Sequence, residues 1–77
     1  HEVRLLDPSG DAFVTMQFDA PLFGLWSPPG KKAPFICIEP WYGRCDHKDF
    51  RGTIEEREWG NMLEEGGEFN ASYHIIV

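Results

Sequence analysis

The chain has few basic residues, few cysteines and no long apolar run, and each shortage excludes a class of protein. Its 77 residues include only 7 Lys and Arg against 13 Asp and Glu, which gives a formal net charge of -6 at pH 7. Nucleic acids and anionic membranes bind clustered Lys and Arg, so we expect neither a nucleic acid nor a membrane as a partner. No stretch resembles a signal peptide or a membrane-spanning segment.

Two cysteines, Cys37 and Cys45, are too few to brace a small secreted domain, and we therefore expect a cytoplasmic protein with free thiols. Together with His47 they could be zinc ligands, but the closely spaced Cys and His pairs typical of a zinc site are missing. No metal is therefore expected. A chain of this size buries only a marginal core. We predict one unit over residues 1–77, and the His at position 1 in place of an initiator Met is consistent with either a trimmed chain or a piece of a longer protein.

Gly and Pro recur at short intervals and divide the chain into segments of strand length. The sequence Asp-Pro-Ser-Gly-Asp at 7–11 predicts a tight turn between two strands. The segment 54–63 fits either a helical turn or an irregular strand. Several short strands separated by turns predict an all-β fold, and specifically a β-sandwich. The predicted strands are 3–6, 13–18, 22–26, 35–38 and a final half-buried strand over 69–76.

The segment 35–46 contains most of the candidate catalytic and binding residues. Residues 35–38 form a continuous apolar run, which is typical of a strand buried on both faces, and Glu39 follows at its end. Partial burial favours the protonated form of a carboxylate and suits it to general acid/base work. The alternative is a structural ion pair between Glu39 and a nearby guanidinium such as that of Arg44.

Residues 38–43, Ile-Glu-Pro-Trp-Tyr-Gly, together with Asp46 and the Phe-Arg-Gly at 50–52, resemble the late catalytic-strand motif of galactose mutarotase-like proteins of the aldose 1-epimerase family. The segments on either side of this motif also follow the order found in that family. Residues 24–28 resemble the strand that enters the motif, and the stretch from 63 to 73 resembles the closing strand.

This resemblance implies that the chain is the C-terminal third of a larger β-supersandwich, whose remaining part, or another protein chain, would be its partner. It also implies an enzyme without a cofactor that interconverts the α and β anomers of an aldohexose. Glu39 would be the general base, and a His would protonate the ring oxygen. Neither His47 nor His74 lies in the motif of that acid, so we expect the isolated chain to be inactive.

Four further residues are candidates for binding the monosaccharide. Trp41 and Trp26 could stack on a pyranose or belong to the core. Arg44 could bind sugar hydroxyls or hold Glu39 ionised, and Asp46 could accept a hydrogen bond from a hydroxyl or cap its loop. The alternative function is a carbohydrate-binding or regulatory β-module without turnover, since the acid is missing.

Overall fold

Five strands in two antiparallel sheets make up the regular structure, which a computed structural model describes for all 77 residues. The strands are β1 (Glu2–Leu6), β2 (Ala12–Phe18), β3 (Leu22–Trp26), β4 (Cys37–Trp41) and β5 (Tyr73–Ile76). The first sheet has the order β1-β2-β5, and the second pairs β3 with β4. A single 3₁₀ turn at Ile54–Glu56 is the only helical element. The all-β prediction is confirmed.

The turn between β1 and β2 forms as its sequence predicts. One carboxylate oxygen of Asp7 accepts hydrogen bonds from the Ser9 amide at 2.9 Å, the Ser9 hydroxyl at 2.7 Å and the Asp11 amide at 3.0 Å. Gly10 has a φ of 93°, which only glycine adopts without strain. These hydrogen bonds lower the pKa of Asp7, the bond from the Ser9 side chain most of all.

A small core lies between the two sheets. Met16, Phe18 and Ala20 are the only buried residues, and Ile38 of β4 packs against them from the second sheet. Val3 and Tyr42 complete the cluster. Since Ile38 points towards the first sheet, its neighbours Glu39 and Cys37 point to the opposite, outer face of the second sheet.

The chain is more extended than a folded domain of its length. Its radius of gyration is 16.4 Å, whereas a compact 77-residue domain has about 11–12 Å. The principal extents are 48 × 32 × 16 Å, so the molecule is flat and elongated. No helix is long and apolar enough to cross a membrane.

Two strand predictions need correction. The strand predicted at 35–38 begins at Cys37 and runs on to Trp41, so Glu39 lies within it, and the strand is only half-buried. The second sheet has only two strands, and Phe23 and Leu25 on the same face as Ile38 are still 49% and 55% exposed, so β4 is not buried on both sides. The last strand begins at Tyr73 and pairs with β2 on one side only, and all four of its residues are exposed.

Candidate functional site

Glu39 and Trp41 stand side by side on the outer face of the second sheet. The register of β3 and β4 pairs Gly24 with Glu39, Leu22 with Trp41 and Trp26 with Cys37. Paired residues of an antiparallel ladder share a face, so all six lie on the side away from the core. The Trp41 indole Nε1–H donates a hydrogen bond of 3.1 Å to a carboxylate oxygen of Glu39.

A glycine in the neighbouring strand makes room for this pair. A Cβ at Gly24 would lie 2.5 Å from Cζ2 and 2.8 Å from Cη2 of Trp41, which is closer than carbon atoms approach without displacement. The Trp41 ring therefore lies directly over the Gly24 backbone. Glycine inside a strand often marks such a close approach, so the position of Gly24 within the predicted strand 22–26 was a signal for this role, which was not predicted.

Trp26 lies on the same face as Glu39, two residues along β3 from Gly24. Its ring packs against Phe35 with the centroids 6.2 Å apart and remains 51% exposed. Trp41 is 40% exposed. Neither indole belongs to the core, so the alternative that these two tryptophans are core residues is wrong. The outer face thus offers two aromatic surfaces with a carboxylate beside one of them.

Arg44 and Asp46 make other contacts. Arg44 donates to Glu58 at 2.5 Å, and Arg57 Nε donates to Asp46 at 2.7 Å. Arg44 forms no ion pair with Glu39, so the interpretation of Glu39 as its structural partner is wrong. Both residues join the loop after β4 to the segment around the 3₁₀ turn.

Several further contacts fix that loop. Arg57 also donates to the Arg44 carbonyl at 3.1 Å, and the side-chain amide of Asn61 donates to the Tyr42 carbonyl at 2.8 Å. His47 Nε2 lies 3.3 Å from the Glu58 carboxylate. The contacts of Arg57, Glu58 and Asn61 were not predicted, because the spacing of residues in a charged segment does not show which residues they contact.

None of the three histidines forms a hydrogen bond or an ion pair with Glu39. The ring of His1 packs against Phe18 with centroids 5.8 Å apart, His47 faces Glu58, and His74 lies in β5 of the other sheet. No acid partner for Glu39 is therefore present among these residues.

The Glu39 face is an open surface and lines none of the cavities of the chain. A cavity of about 140 Å³ lies nearby in sequence, between the loop after β4 and the 3₁₀ turn, and Asp46 is among its lining residues. No three Cys, His, Asp or Glu side chains are grouped so that they could hold a metal ion. Cys37 and Cys45 are free thiols.

Comparison of the chain with protein-family models, with curated protein sequences and with solved structures gave no match.

Proposed function

We propose that this chain carries the base-bearing part of an aldose 1-epimerase site, in which Glu39 is the general base and an aldohexose is the substrate. The observation that supports the proposal best is the Glu39–Trp41 pair, held by the 3.1 Å hydrogen bond on the face of the second sheet opposite the core. The resemblance of residues 38–43 to the motif of that family supplies the role of the carboxylate.

The chemistry of the pair suits a pyranose. A carboxylate accepts hydrogen bonds from sugar hydroxyls, and an aromatic ring covers the apolar face of the sugar. The indole N–H occupies one oxygen of Glu39, so the second oxygen is left to accept the proton of the anomeric hydroxyl. A fixed carboxylate within hydrogen-bond reach of that proton is what general base catalysis requires.

Ring opening in the proposed reaction moves one proton to Glu39 and one from an acid to the sugar, and ring closure returns both, so no proton is gained or lost overall. Glu39 takes the proton of the anomeric hydroxyl, the C1–O5 bond breaks as the carbonyl forms, and an acid protonates O5. Rotation about the C1–C2 bond and reversal of these steps gives the other anomer. No histidine of the chain forms a hydrogen bond or an ion pair with Glu39, and in the proposal the acid belongs to polypeptide outside residues 1–77 that also forms the rest of the β-supersandwich. Trp26 and Trp41 bind the sugar, and Arg44 and Asp46 shape the loop beside it.

The experiment measures the exchange between α- and β-galactose by NMR, with a longer polypeptide that contains residues 1–77. The Glu39→Gln variant is expected to lose on the order of 100-fold or more in rate, the usual contribution of a general base. Glu65→Gln, a change of the same chemistry on an exposed turn, is the matched control and should leave the rate unchanged. Equal rates for Glu39→Gln and the unaltered protein would contradict the proposal.

The missing acid favours one alternative, a carbohydrate-binding module that keeps the aromatic and carboxylate surface without turnover. The same samples distinguish the two functions. A longer polypeptide that binds galactose through Trp41 but leaves the anomeric exchange at its spontaneous rate is a binding module.

A further inference from the structure

The carboxylate of Glu39 has one hydrogen-bond partner in the folded chain, the indole of Trp41. The Trp41 Nε1–H donates to one carboxylate oxygen at 3.1 Å, and no other group forms a hydrogen bond or an ion pair with that carboxylate. Gly24 lies opposite Glu39 in the ladder and has no side chain to contact it. A half-buried glutamate keeps much of its rotamer freedom unless a partner fixes it. The orientation of this carboxylate therefore depends on Trp41.

Trp41 is itself placed by its close contact with Gly24. A Cβ at position 24 would lie 2.5 Å from Cζ2, 2.8 Å from Cη2 and 3.0 Å from Cε2 of the indole. Cε2 is bonded to Nε1, so the edge of the ring that lies on Gly24 is the edge that donates to Glu39. A side chain at position 24 would displace this edge and change the direction of the N–H.

We infer that Trp41 is a positioning residue for the carboxylate of Glu39, and that Gly24 provides the space this requires. The inference rests on the proposed function, in which Glu39 is the general base. Because the indole N–H fixes one oxygen, the carboxylate is held in one orientation and its second oxygen is free to accept the proton of the anomeric hydroxyl. A base that is oriented before the substrate reacts loses no rotamer freedom during the reaction.

The ring and the N–H of Trp41 have separable roles. The ring offers an aromatic surface to the sugar and contributes to binding, whereas the N–H acts only through Glu39. Loss of the N–H alone should therefore lower kcat and leave KM nearly unchanged, and loss of the ring should raise KM as well. Phenylalanine distinguishes the two roles, because it keeps an aromatic ring and has no N–H donor.

The test is the exchange between α- and β-galactose, measured by NMR with the longer polypeptide that also serves for Glu39→Gln. Trp41→Phe should lower kcat about tenfold, which corresponds to the rotamer freedom of one glutamate side chain. Its KM should stay within about twofold, and Trp41→Ala should raise KM further. Trp59→Phe is the matched control, since Trp59 is also a partly exposed indole, at 45%, and lies outside the candidate site. Both constants should be unchanged in that variant.

Gly24→Ala tests the same hydrogen bond from the other strand. With Trp41 in place, this change should also lower kcat about tenfold, because the methyl group displaces the donating edge of the ring. In the Trp41→Phe background no N–H is left to lose, so the same change should lower kcat less than about twofold. Gly60→Ala is the matched control, since a Cβ there would meet no atom closer than 3.6 Å. Equal losses from Gly24→Ala in both backgrounds would overturn the inference.

A measurement on the 77-residue chain needs no activity. Glu39→Ala removes the acceptor, so the indole N–H resonance of Trp41 should shift and its exchange with water should speed up, while Trp26 and Trp59 stay unchanged. A Trp41 resonance that ignores Glu39→Ala, or a Trp41→Phe variant with unaltered kcat, would overturn this inference and leave the proposed function standing. A longer polypeptide that is inactive, or fully active as Glu39→Gln, would overturn both.

Discussion

Residues 1–41 and the loop segment that follows them are held by different interactions. The first region has the strand ladders of β1 to β4 and most of the core between them. The second, from Tyr42 to Ser72, contains one 3₁₀ turn and is held by side-chain contacts such as Arg57 to Asp46 and Asn61 to Tyr42. Salt screens ion pairs far more than it affects apolar burial. Changes to core side chains should therefore destabilise the first region, and loss of an ion pair or a rise in salt concentration should loosen the second.

The largest loss of folding stability is expected from Phe18→Ala in the first region. Phe18 is 4% exposed and is the largest residue of the core, and large-to-small changes at such sites cost about 3–5 kcal/mol. With only three buried residues, the chain should lose its cooperative unfolding in urea. Phe13→Ala is the matched control on the same strand, since Phe13 is 65% exposed, and its unfolding midpoint should change little. Similar losses in both variants would contradict this account of the core.

Gly24→Ala should have the next largest effect, confined to the candidate site. The new methyl group would overlap the Trp41 ring, which must swing away and lose its hydrogen bond to Glu39. The cost in stability is expected to be about 1 kcal/mol, because the displaced atoms belong to the end of a partly exposed side chain. NMR of the three indole N–H groups measures the change. The Trp41 resonance should move, and those of Trp26 and Trp59 should not. A stationary Trp41 resonance would show that the ring does not lie over Gly24.

A smaller effect is expected from Arg57→Met in the second region. The change removes the bonds from Arg57 to Asp46 and to the Arg44 carbonyl, and exposed ion pairs contribute about 1 kcal/mol or less. Hydrogen exchange in the loop after β4 should speed up, while β1 and β2 keep their protection. High salt should reduce the difference between the variant and the unaltered chain. Equal acceleration in β2 would show that the two regions are not held independently.

The smallest effect is a loss of stability of the β1–β2 turn at acidic pH. Hydrogen bonds from Ser9 and Asp11 lower the pKa of Asp7 in the folded chain. The ionised form is therefore the one that stabilises the turn. Its contribution is complete above the pKa of the unfolded chain, about 4, and is lost as the pH falls through the lower pKa of the folded chain. The Gly10 amide resonance should report this transition. Asp7→Asn should abolish it, and Asp49→Asn should leave it in place.

The sequence predicts the fold best where local chemistry decides it. The Asp7–Asp11 turn and the strands β1, β2 and β3 could be placed from turn residues and β-branched or aromatic runs alone. The start of β4 and the exposure of β5 could not, because both depend on which strands pair and on what packs against them, and these contacts join residues far apart in the sequence.

The candidate site divides in the same way. The sequence predicted Glu39 at the end of a strand, but not that β4 continues to Trp41 and so places both side chains on one face. The partners of Arg44 and Asp46 were not predictable, because Arg57 and Glu58 are more than ten residues away in an irregular segment.

The most direct test of a sugar site on the Glu39 face is a galactose titration of the 77-residue chain, followed through its three indole N–H resonances. We predict saturable shifts of Trp41 and, to a smaller degree, of Trp26, with Trp59 unchanged, and no shift of Trp26 in the Trp41→Ala variant. Shifts confined to Trp59, or none at all at saturating sugar, would contradict the assignment of this face as the binding site.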